Sequence, residues 1–155
     1  MATTNEDAAI LASARLDDGR MLVLRHLPDR GTIEVGFWSK EAGAVVLQPP
    51  ALEIAAEAAE LEGLAAVCGR ALGAAAGGDG AELAAAGPYA DGARLTAMGS
   101  GDGACLVRPP DPDNRLPLSR TALQALADLL PAARQRAEHL GLGLPQQEGP
   151  AADRP

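Results

Sequence analysis

Aromatic residues are nearly absent. Phe37, Trp38 and Tyr89 occur once each and make up 2% of the 155 residues. A core without rings must be built from Leu, Val, Ile and Ala, and the 47% hydrophobic content supplies them. That content also excludes a disordered polymer. Lysine occurs once, at Lys40, so arginine carries the other positive charges. Cysteine is limited to Cys68 and Cys105 and histidine to His26 and His139, with no CxxC, HxH or HExxH spacing. This excludes a disulfide scaffold and offers no zinc set, so no metal or cofactor is expected. Each cysteine reads as a small buried hydrophobe. No apolar run approaches the roughly 20 residues of a membrane helix. The opening MATTNEDAAI has acids where a signal peptide carries positive charge. A cytoplasmic protein is expected, and sparse cysteine fits a reducing compartment.

The chain carries 13 Lys and Arg against 21 Asp and Glu, a net charge of −8. Such a charge repels phosphate polymers unless one face is locally basic.

Residues 1–9 read as a flexible N-terminus. ILASARL (10–16) and RMLVLRHL (20–27) flank Asp17-Asp18-Gly19, a hairpin signal. TIEVGFWS (32–39) alternates like a strand, and AVVLQ (44–48) is a short strand ended by Pro49-Pro50. The period then changes. Ile54, Ala58, Leu61, Ala65, Cys68 and Leu72 form one helical stripe. Glu53, Glu57, Glu60 and Glu62 suit its positive N-terminal end as a wet acidic face, and Arg70 suits its far end. Gly63 weakens the helix and points to close packing there. Residues 73–81 are a linker.

The same order then returns. ELAAAG (82–87), ARLTAM (93–98), ACLVR (104–108) and RLPLS (115–119) are strands, joined by turns at 88–92 and GSGDG (99–103) and by the loop PPDPDN (109–114). A second helix follows, with the stripe Leu123, Leu126, Leu130, Ala133, Ala137 and Leu140, capped by Ser119 or Thr121. Pro131 predicts a bend or a break at Leu130. Residues 143–155 read as a disordered tail.

The fold class is therefore α+β. Two tandem ββββα repeats, 10–72 and 82–142, are predicted to form one pseudo-two-fold domain. One four-stranded sheet with one helix is marginal alone, and two copies can cover each other. The twice-repeated order resembles the fold of Whirly proteins, PUR-repeat proteins and the single-stranded-DNA-binding transcriptional coactivators. RLPLSRTALQALADLL is similar to the strand-to-helix junction of the coactivators. The resemblance implies sheets whose exposed faces bind single-stranded nucleic acid and a role associated with transcription.

The residues suited to that task are Arg15, Arg20, Arg25, His26, Arg30 and Lys40, with Trp38 as a stacking platform. Arg94, Arg108, Arg115 and Arg120 hold comparable places in the second repeat. Asp17, Asp18, Asp29 and Glu34 lie among the same strands and oppose phosphate. Phe37 and Trp38 are adjacent, so one faces inward and the other outward. An outward Trp38 wants a partner, whether base or protein.

The charge supports a second expectation, an acidic module that binds a protein partner. Here the chain loosely resembles the small acidic dimeric chaperones of type III secretion, although those begin with a long helix and this chain begins with a strand. Both readings admit a homo-oligomer. An enzyme is not expected, since no GxSxG, P-loop or GxGxxG stands at a strand-to-helix junction. GSGDG joins two strands and lacks a helix N-terminus. Asp111 and Asp113 sit in a stiff, solvated loop rather than a set of six oxygens.

Overall fold

A computed structural model describes residues 9–41, 43–74, 79–109 and 111–141. Most of the expected N-terminal segment, residues 75–78 of the linker and the tail lie outside these residues. The element order is β1 (Ala9–Arg15), β2 (Met21–Leu27), β3 (Thr32–Glu41), β4 (Ala44–Ala55), α1 (Ala58–Gly73), β5 (Glu82–Ala86), β6 (Leu95–Ser100), β7 (Gly103–Val107), β8 (Arg115–Leu118) and α2 (Arg120–Leu140). Each repeat forms an antiparallel meander, β1-β2-β3-β4 and β5-β6-β7-β8, so the tandem ββββα architecture is as expected.

Period-two alternation selects the inner face of each sheet. In the first, Leu22, Leu24, Ile33, Val35, Phe37, Leu52 and Ile54 are buried; in the second, Leu95, Ala97, Ala104, Leu106, Leu116 and Leu118. The helices are exchanged between these sheets. α1 ends the first repeat but packs mainly on β5 and β6, whereas α2 packs on β1, and the two helices touch each other. One continuous core results.

Three elements differ from expectation. β4 does not stop at Pro49-Pro50 but runs on to Ala55. Its pairing with β3 jumps from Phe37↔Gln48 to Val35↔Leu52, so Pro49, Pro50 and Ala51 stand opposite Gly36 alone. The prolines lie in this bulge, where the regular ladder asks no N–H of them. A Cβ on Gly36 would lie 3.0 Å from Leu47 and 3.1 Å from Ala51, so the bare glycine makes room for the bulge. Ile54 and Glu53 are consequently strand residues. Leu52, Ile54 and Ala56 keep a period of two, and the helical stripe begins only at Ala58. It runs through Leu61, Leu64, Val67, Cys68 and Ala71, with Ala65 exposed. Burial pushes the Cys68 thiol up to about 12, whereas Cys105 is free and half-buried.

α2 passes through Pro131 without a break at Leu130. The buried stripe Leu123, Leu126, Leu130, Ala133 and Ala137 spans the proline. Its packing outweighs an interior proline's cost of about 3 kcal/mol. Ser119 caps this helix, accepting the Ala122 N–H at 3.2 Å. Gly63 marks a close approach, as expected: a Cβ there would collide with the Tyr89 hydroxyl and touch Ala86 at 3.2 Å.

The sheets meet where β8 adjoins β4. The Asn114 side chain accepts the Glu53 N–H at 2.6 Å and donates to the Glu53 carbonyl at 2.8 Å. It thus pairs with β4 as a strand residue would. Replacing Asn114 by Ala leaves both part-buried backbone groups unmatched. The expected loss is about 1–3 kcal/mol of unfolding free energy, measured by urea denaturation.

Candidate binding surface

The outer face of the first sheet carries the candidate site. Pairing places its side chains in cross-strand rows. Arg15, Met21, Trp38 and Leu47 form one row; Ser13, Val23 and Gly36 the next; Ile10, Arg25, Glu34 and Glu53 the third. Lys40 and Val45 pair beyond the first row. Phe37 is buried on the inner face, so Trp38 is the outward member of the pair, half-buried. Ile10 is 57% exposed and Val45 56%.

The structure brings together four of the expected site residues. Arg15, Arg25, Trp38 and Lys40 share this outer face. Arg25 stacks over the Trp38 ring at 4.7 Å while its Nε donates to Glu34 at 2.7 Å. Arg15 and Lys40 are exposed. The others lie elsewhere. Arg20 sits over the ring of Phe37 at 4.2 Å, on the opposite side, and is paired to Asp18 at 2.8 Å. His26 also belongs to the inner-facing set. Arg30, in the β2–β3 turn, is paired to Glu53, whose carboxylate also accepts the Thr32 hydroxyl at 2.6 Å. Arg94 is exposed in the second repeat, before β6.

Arg108, expected on the binding face, does not lie on it. It is buried, with Nε 2.7 Å and Nη2 2.6 Å from the two Glu60 oxygens, and Nη1 3.0 Å from Asp91. It is a tie between repeats rather than a surface cation. Glu60, expected on a wet helical face, is only 3% exposed, and it also accepts the Ala55 N–H at 3.1 Å. The reason is geometric: exchange of the helices turns this side of α1 into the second sheet. The Ala93 N–H and the Arg108 guanidinium together hold the Asp91 carboxyl below its usual range.

Beside the seam lies a cleft of about 380 Å³. Its lining includes the carboxylates Glu34, Glu53, Asp91, Asp111 and Asp113. The two guanidinium groups there, Arg30 and Arg108, are already paired with carboxylates. The outer surface is therefore apolar near Trp38 and acidic toward the seam. Among the described residues, no three His, Cys, Asp or Glu side chains converge as a metal site. No helix there is long and apolar enough to cross a membrane.

The sequence reading missed the apolar members of this face, Ile10, Met21, Val23, Val45 and Leu47. The signal was present in MLVL (21–24), an unbroken apolar run where a strand covered on one face should alternate. Comparison of the chain with protein-family models, with curated proteins and with solved structures gives no match.

Two predictions follow from these contacts. Arg108→Met leaves the Glu60 carboxylate buried and unpaired, with an expected loss of about 3–5 kcal/mol. The double variant Arg108→Met, Glu60→Met recovers much of that loss, a difference read by chemical denaturation. Burial also lowers the His26 pKa from 6.5, so the unfolded chain takes up its proton first. Stability is then retained above pH 6.5 and declines as pH falls from 6.5 toward the lowered value. Thermal melts across this range should show the decline, and His26→Gln should remove it.

Proposed function

We propose that this chain is a non-enzymatic binding protein that holds a polypeptide partner on the outer face of its first sheet. One observation carries the reading. Arg20, Arg25, Arg30 and Arg108, four of the cations suited to phosphate, are engaged by the chain's own carboxylates, while Ile10 and Val45 are exposed and Trp38 is half-buried. A single-strand binder needs a cationic groove with several stacking platforms. This face offers one indole and an acidic border. Apolar side chains beside a net charge of −8 suit a basic polypeptide with exposed hydrophobic residues. The resemblance to small acidic chaperones belongs to this reading, as does a cytoplasmic location. Single-stranded nucleic acid is the competing ligand, because Arg15 and Lys40 share a face with Trp38.

Trp38 is the sole tryptophan and reports directly on this surface. Its emission is expected to shift on titration with a permanently unfolded basic polypeptide and to stay unchanged with a single-stranded oligonucleotide, even at low salt. Met21→Glu should weaken the polypeptide about tenfold, or about 1.4 kcal/mol. Oligonucleotide affinity that climbs as salt is lowered would instead assign the face to nucleic acid.

A further inference from the structure

Sheet edges expose unpaired N–H and C=O groups, and proteins ordinarily blunt them with charge, proline, bulges or cover. Three edges here are managed so. β1 carries a bulge at Ile10/Ala12 and the charge of Arg15. β5 carries a bulge at Glu82/Ala84, is overlain by α1, and has its Ala85 carbonyl taken by Arg70 at 3.2 Å. β8 contains Pro117 and faces β4, with Asn114 clasping Glu53.

Among the described residues, nothing pairs with the fourth edge over Ala44 to Leu47. Ala44, Val45, Val46 and Leu47 pair with β3 on one side and make no backbone hydrogen bond to any other described residue. The stretch has no charge, proline or bulge of its own. Val45 and Val46 point to opposite faces, yet are 56% and 37% exposed. This end of the β3–β4 hairpin therefore stands clear of the core on both sides. In an antiparallel strand, alternate residues turn both backbone groups to the open side.

We propose that this edge takes an extended segment of a basic polypeptide as an added strand, which rests on the polypeptide-binding reading above and specifies how the partner is held. Added strands gain affinity from main-chain hydrogen bonds and selectivity from alternate side chains. One face of the added strand would lie beside Leu47, Val45 and Trp38, favouring β-branched or aliphatic residues there. Charge sets the flank. The edge ends at Leu47; past Gln48 the chain reaches Pro49-Pro50, where a cleft lined by Ala51, Asp113 and Arg115 begins, and Ala51 and Asp113 also line the seam cleft with Glu53, Asp91 and Asp111. A segment continuing past the edge meets these carboxylates, so lysine or arginine is expected there. A second copy of this chain is less suited, since each copy carries −8.

The probe is a synthetic peptide alternating valine with threonine and ending in lysines, followed by Trp38 emission. N-methylation of alternate backbone amides keeps the side chains but blocks one edge of the peptide. Methylation on one set of alternate residues should weaken binding at least tenfold, and on the other set should leave it unchanged. Val46→Lys should weaken the unmodified peptide to a similar degree, and bound peptide should slow amide exchange at Val45 to Leu47. Equal binding of both methylated peptides overturns strand addition while leaving polypeptide binding in place. A Trp38 signal that responds to no polypeptide removes the underlying reading itself. A doubled mass in light scattering, abolished by Val46→Lys, would give the edge to a second copy and overturn the assignment.

Discussion

Glu60 and Arg108 come from different repeats and meet in the interior as a two-point ion pair. Around this contact the rest of the molecule is arranged. Glu60 stands near the start of α1 and Arg108 just beyond the end of β7, so the pair fixes the first helix against the second sheet. The same carboxylate receives the Ala55 N–H, which also fixes the exit of β4 into the helix. A buried ion pair is a poor source of net stability compared with apolar packing. It is a strict constraint on placement, because any arrangement that separates the partners strands a charge in low dielectric. Asp91 completes the clasp from the 88–92 turn, and the Arg108 guanidinium lies over the Tyr89 ring.

That constraint also bears on the outer face. Arg108 serves the interior, and Arg25 and Arg30 are tied to Glu34 and Glu53. Their placement on strands and turns was visible in the sequence, but their partners were not. Register decides which carboxylate stands opposite which arginine, and register depends on pairings between distant segments. Arg15 and Lys40 are the exposed cations that share this face, while the row through Met21, Trp38 and Leu47 faces outward. Partner chemistry follows from what internal pairing leaves over rather than from the count of arginines.

Local signals in the sequence carried most of the architecture. Strand alternation, Asp-Gly turns, the Ser119 cap and the stripe of α2 each depend on residues within a few positions of one another. Tertiary effects governed the failures. Pro49-Pro50 ends a regular ladder by local rules, yet the missing side chain of Gly36 on the neighbouring strand admits a bulge and lets β4 continue. Ile54 fits both a period of two and the front of a helical stripe, and only the pairing Ile33↔Ile54 decides between them. Glu60 looks like any exposed helical glutamate until the helix is placed on the other repeat's sheet. Which sheet a helix covers is a nonlocal choice, and no pattern within α1 encodes it.

The exchange of helices makes the two repeats mutually dependent. Each sheet is sealed chiefly by a helix that the other half of the chain supplies, so neither half can shed its partner without baring its own apolar face.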